Sequence, residues 1–116
     1  MSYDKTWHRD YAAECIKRHE GNRLLAGRAD LEFAKWAMTC GQGAKLAQAI
    51  ATEAGDSKTA DIAATVLDTI SSGNRYRKIT TAQQHALAVA VLEKLGTARA
   101  IGAAIWGLTD DEINNA

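Results

Sequence analysis

Proline is absent from the 116 residues of this chain. With no fixed-φ residue to break helices, and with alanine abundant, the composition points to helices joined by glycine-containing turns. Cysteine is scarce. Cys15 and Cys40 each fall within a helical pattern and show no CxxC spacing, so both read as reduced, buried thiols of a cytosolic protein. A charge excess is also missing, with 14 basic residues against 14 acidic. Non-specific nucleic-acid binders draw affinity from phosphate neutralisation and acidic mimics of nucleic acid carry the reverse bias. Neither whole-chain signature is present, so any charged contact must be a local patch. No signal peptide, lipidation motif or apolar run near twenty residues is found, which points away from export and membrane spanning.

What is present is a globular composition, 47% apolar, with a length suited to one helical domain over residues 1–116. A chain of this size buries roughly two-thirds of its unfolded surface, enough for one core without staples. The organising stretch is Thr80–Leu95, whose middle, Ala86 to Leu92, is an unbroken apolar run. Thr80 with Gln83 has the spacing of a capping box, and Gly96 tolerates the left-handed conformation that ends a helix. The length between these signals favours a helix over a buried strand. A helix apolar on nearly every side belongs in the middle of a bundle.

The other segments read in the same way. Lys5–His19, with Asp4 as its N-cap, carries Trp7, Tyr11, Cys15 and Ile16 as an apolar stripe, and Glu14 with Arg18 as an i, i+4 pair. Asp30 opens a second helix. Its apolar phase runs from Phe33 through Cys40 and Gly43 to Ala54 unbroken, despite glycines that each cost about 1 kcal/mol. Asp56 or Ser57 begins a third, striped by Ile62, Val66, Leu67 and Ile70. Ser72-Gly73-Asn74 is a turn, followed by Arg75-Tyr76-Arg77-Lys78. After Gly96, Thr97 caps a short helix bearing Ile101, Ile105 and Leu108. Gly107 breaks it, and Thr109 with Glu112 forms a second capping box whose Asp110, Asp111 and Glu112 suit a helix N-terminus. The expected architecture is an all-α bundle of about five to six helices around the central helix 80–95.

No catalytic constellation is legible. Cys15 and His19 lie one helical turn apart, but a zinc site needs three or four ligands and only Cys40, His8 and His85 remain. A nucleophilic thiol needs a base and an oxyanion site. Gly41-Gln42-Gly43 lacks the rest of any phosphate-binding fingerprint. Neither a metal, a cofactor nor an enzymatic activity is expected. Glu93–Ile113 has the outline of a helix-turn-helix, with Ala100, Gly107 and Ile113 near its small and apolar positions. Its second helix leads with Asp110, Asp111 and Glu112, which phosphates would repel, so direct DNA reading is not expected. Arg75–Lys78, basic with an interleaved tyrosine, is the leading candidate contact, balanced by the reading of a solvated charged loop. Asp110–Glu112 is the weaker one. Trp7, Trp36 and Trp106 lie on or beside apolar stripes and read as core.

Two segments carry a resemblance. Lys5-Thr6-Trp7-His8-Arg9-Asp10-Tyr11-Ala12-Ala13-Glu14, and Ile79-Thr80-Thr81-Ala82-Gln83 together with Leu108-Thr109-Asp110-Asp111-Glu112-Ile113, resemble a small type I-F anti-CRISPR protein family. Its members are proteins of phages and other mobile elements that inactivate the host's CRISPR–Cas defence. The resemblance is strongest over residues 3–20 and 78–113, is one of pattern across 30–70, and lapses around 21–29 and 72–77. It implies a stoichiometric inhibitor in the bacterial cytoplasm that binds a Cas component, either the type I crRNA-guided surveillance complex or its recruited helicase-nuclease. No binding residue carries over from the family onto Arg75–Lys78, which lies beside a divergent loop. The competing expectations are a small DNA-binding regulator that uses the terminal hairpin, and a non-enzymatic phage assembly module.

Overall fold

In the computed structural model the described residues are 6–22, 24, 28–72 and 79–116. Within them the chain forms seven helices: α1 (Thr6–Gly21), α2 (Ala29–Ala37), α3 (Gly41–Ala54), α4 (Ser57–Ser71), α5 (Thr81–Leu95), α6 (Ala98–Trp106) and α7 (Asp110–Asn114). The architecture is the all-α bundle expected. Asp4, expected to cap α1, lies outside the described residues, as does the whole of 73–78.

The caps read from the sequence form. Thr80 Oγ1 accepts from the Gln83 N–H at 3.1 Å, and Gln83 Oε1 accepts from the Thr80 N–H at 3.0 Å. Thr109 and Glu112 repeat this reciprocal box at α7. Asp56 caps α4 through the Thr59 N–H, and Thr97 caps α6 through the Ala100 N–H. Gly107 stops α6 at φ +68°, a backbone conformation that side-chain-bearing residues rarely adopt.

Helix α5 is the hub. It packs against α2, α3, α4 and α6 and buries Leu87, Ala88 and Val91 outright. The rest of its apolar run, Ala86, Val89, Ala90 and Leu92, is half-buried, and His85, Glu93 and Lys94 leave one polar edge facing water. The other large fully buried side chains are Ile16, Phe33, Val66, Ile101 and Ile113, from five other helices, and Met38, from the turn after α2. One apolar cluster therefore joins α1 to α7.

The helix expected to run from Asp30 to Ala54 is two helices. Its apolar phase persists, but the chain turns at Met38–Cys40: Thr39 Oγ1 donates to the Trp36 carbonyl at 2.6 Å, and Cys40 is extended (φ −89°, ψ 144°) at the N-cap of α3. This folds the start of α3 back onto the end of α2, so closely that a Cβ on Gly43 would collide with the Ala37 carbonyl oxygen. Cys40 is consequently half-buried rather than buried, and partial burial pushes its thiol pKa up, in favour of the protonated form. Asp30 does not cap its own helix. It lies in the first turn of α2, and its Oδ1 accepts from the backbone N–H of Ala98 at 2.9 Å, serving the N-terminus of α6 instead. Arg18, expected beside Glu14, lies over the Tyr11 ring at 6.0 Å, with Nη2 3.6 Å from Cys15 Sγ.

Candidate contact surface

The polar face of α1 meets the last two helices. Arg9, one turn into α1, donates through Nε to the Trp106 carbonyl at 3.1 Å, reaches the Gly107 carbonyl, and forms an ion pair with Glu112. It thus serves two carbonyls at the C-terminus of α6, where the helix dipole favours a cation, and a carboxylate at the N-terminus of α7. Two turns on, Lys17 Nζ donates to the carbonyls of Asn114 and Ala116 at 2.9 and 2.8 Å. Arg99, on α6, grips Glu20 with two parallel bonds of 2.9 Å, and also reaches Asp110 Oδ1 at 3.1 Å and Asn114 Oδ1 at 2.9 Å. That planar fork is geometry a lysine lacks.

These pairings set the local protonation. The bond from Arg9, then those from Thr109, hold the Glu112 carboxyl below its ordinary value of 4.5. Arg9 is raised in return by Glu112, and Arg99 by Glu20 and Asp110. The ion-pairing side chains around α7 are solvent-accessible, so water screens these pairs and salt weakens them further.

Of the acidic residues singled out in the sequence, Asp110 and Glu112 are therefore engaged within the fold, while Asp111 is exposed and, among the described residues, has no ion-pair partner. Arg75, Tyr76, Arg77 and Lys78 lie outside the described residues. The helices of the terminal hairpin exist, but α7 is five residues long and its Ile113 is buried in the core. Arg9, Lys17, Glu20 and Arg99 were not singled out in the sequence, because for the bonds from α1 their partners lie 79 or more positions away. Arg9 falls within the quoted segment Lys5–Glu14, and the other three lie only in the wider spans of resemblance, 3–20 and 78–113.

The cysteine–histidine pair lines an open cleft of about 260 Å³ between α1 and α2, with Tyr11, Arg18, Glu32 and Trp36. His19 Nδ1 is the one buried side-chain nitrogen or oxygen among the described residues without a hydrogen-bond partner, a desolvation cost that nothing in the structure offsets. Among the described residues no three His, Cys, Asp or Glu side chains come together as a metal would require. Trp36 stacks on Trp106 at 5.7 Å and meets Tyr11 edge-on at 5.1 Å. Both tryptophans are only half-buried, at the margin of the core rather than within it. A larger groove, about 430 Å³, runs between α1 and α7 with Ala13 and Leu108 in its wall and Asp10, Glu14 and Glu112 along it. Among the described residues no helix is long and apolar enough to cross a membrane.

No protein-family model matches the chain, and no curated protein or solved structure matches it.

Proposed function

We propose that this chain is an anti-CRISPR inhibitor of type I-F character, which inactivates a CRISPR–Cas effector by protein–protein contact in the cytoplasm of a bacterial host. The observation that carries the reading is the resemblance of the N-terminal and C-terminal segments to that family, taken together with their meeting in space. Arg9 of the first segment pairs with Glu112 of the last, and Lys17 closes on the carbonyls of Asn114 and Ala116. Two of the resembling stretches, the one in α1 and the one at 108–113, thus meet across one face built from α1, the end of α6 and α7, while Thr80–Gln83 opens α5. Stoichiometric contact suits such a surface, since a helix face recognises a partner through docking alone, with no chemistry required.

The partner is a type I surveillance complex or its recruited helicase-nuclease. Arg75–Lys78 and Asp110–Glu112 are the proposed contact residues, with Asp111 the carboxylate of the second group that has no ion-pair partner among the described residues. The DNA-binding alternative is less well supported, because a five-residue α7 whose leading carboxylates meet arginines makes a poor reading helix.

The test is co-elution. The purified protein is mixed with a type I-F surveillance complex and, separately, with the helicase-nuclease, and each mixture is run on a sizing column beside a target-cleavage assay. Co-migration with one of them and loss of cleavage are expected. Absence of co-migration with both, with cleavage intact, would remove the proposal. Salt-dependent retention of promoter DNA would move the assignment to the regulator.

A further inference from the structure

The helix that carries the acidic candidate residues is fastened differently from the other six. Its one fully buried side chain is Ile113, with Leu108 buried just before it. Of the other helices, α1 is the one it packs against extensively. Among the described residues the side-chain ties that hold it are solvent-accessible: Arg9 to Glu112, Arg99 to Asp110 and Asn114, and Lys17 to the carbonyls of Asn114 and Ala116. It joins α6 through Gly107, whose positive φ marks a joint with no side chain to restrain it. Few buried contacts and many exposed bonds place a segment at the low-stability end of a fold, where it opens without global unfolding.

We infer that residues 108–116 are an electrostatic latch. Docked, they keep Asp110 and Glu112 occupied by the molecule's own arginines; released from α1, they present Asp110, Asp111 and Glu112 together as a free acidic surface. A partner that used those carboxylates would have to displace Arg9 and Arg99, so the docked state restrains contact through this face. The inference rests on the geometry of α1, α6 and α7 and holds whatever the partner is.

Native-state amide exchange on the full chain tests it. The hydrogen-bonded amides of Glu112, Ile113 and Asn115 are compared with those of Leu87 and Val91 in α5, at low salt and in 1 M NaCl, where screening acts over roughly 3 Å. The α7 amides are expected to exchange as a group, about 100-fold faster than the α5 amides, with a further loss of about 10-fold in high salt that α5 does not share. The R9Q and R99Q variants are expected to reproduce that loss at low salt, with α5 protection as the check that they remain folded. Equal protection of α7 and α5 at both salt concentrations would overturn the inference, because α7 would then open only with the whole molecule. So would loss that is insensitive to salt, which the unsubstituted protein reports without any variant.

Discussion

Gly43 and Gly102 both sit at close approaches, and the atoms opposite them decide what a methyl group would cost. At Gly43 the opposing atom is backbone, the Ala37 carbonyl oxygen in the tight turn from α2 to α3. Backbone at a turn cannot step aside without pulling the two helices apart. At Gly102 the nearest atoms are the far ends of flexible side chains, Ile16 Cδ1 at 2.9 Å and Leu108 Cδ1 at 3.2 Å. The same methyl there also gains the alanine helix preference of about 1 kcal/mol, which offsets part of the crowding. Gly43→Ala is therefore expected to destabilise by about 3 kcal/mol or more, at or beyond the upper end of overpacking in a core, and Gly102→Ala by about 1 kcal/mol or less. Urea midpoints of the two variants check the order. Equal midpoints would mean that the turn yields as readily as a side chain. What went unread at this scale is the partner of Asp30. It stands at the start of its helix as expected, but its carboxylate accepts from the Ala98 N–H, 68 residues on, and no local spacing encodes that.

Among the elements, what was legible divides by the range of the interaction. Thr80 with Gln83, Thr97 with Ala100, and Thr109 with Glu112 act across three residues, so the spacing alone announced them. The break between α2 and α3 was hidden because the turn at Met38–Cys40 preserves the apolar phase, leaving Gly41 and Gly43 as the visible hints. The fastening of α7 was not legible, since Arg9 and Arg99 are ordinary surface arginines until the fold brings them to carboxylates. Those short-range and long-range bonds share a pH dependence. Arg9 and Thr109 hold Glu112 below its ordinary value, and Thr59 does the same for Asp56 at the start of α4. A carboxyl whose folded pKa is lowered contributes stability that is complete above the unfolded value and lost as pH falls through the folded one. Stability is thus expected to be flat with respect to these two groups above about pH 6 and to fall below about pH 4. Glu112→Gln should remove part of that acid-side loss and leave the slope above pH 6 unchanged, as read from urea midpoints across the range. An unaltered acid limb in the variant would show that the Arg9 pair does not couple to folding.

Taken whole, the molecule combines one helical core with charge that is balanced overall and uneven locally. The core joins α1 to α7 in one apolar cluster, and α4 and α5, which flank Arg75–Lys78, both contribute to it. The connection between them carries three basic residues and Tyr76, in a chain whose basic and acidic residues balance overall. Reversing that charge should therefore act on association rather than on folding, because α4 ends at Ser71 and the cap of α5 begins at Thr80, on either side of the patch. For a contact made through this segment, Arg75→Glu with Arg77→Glu is expected to weaken capture by the type I-F surveillance complex or the helicase-nuclease at least about 10-fold, a difference of 1.4 kcal/mol. Most of the loss should lie in the dissociation rate if the arginines are buried in the contact, and in a salt-dependent association rate if they stand at its rim. Helical content and the urea midpoint should stay at the starting values. Unchanged capture by the folded double variant would return the patch to ordinary solvated surface and leave the α1–α7 face as the remaining proposed contact.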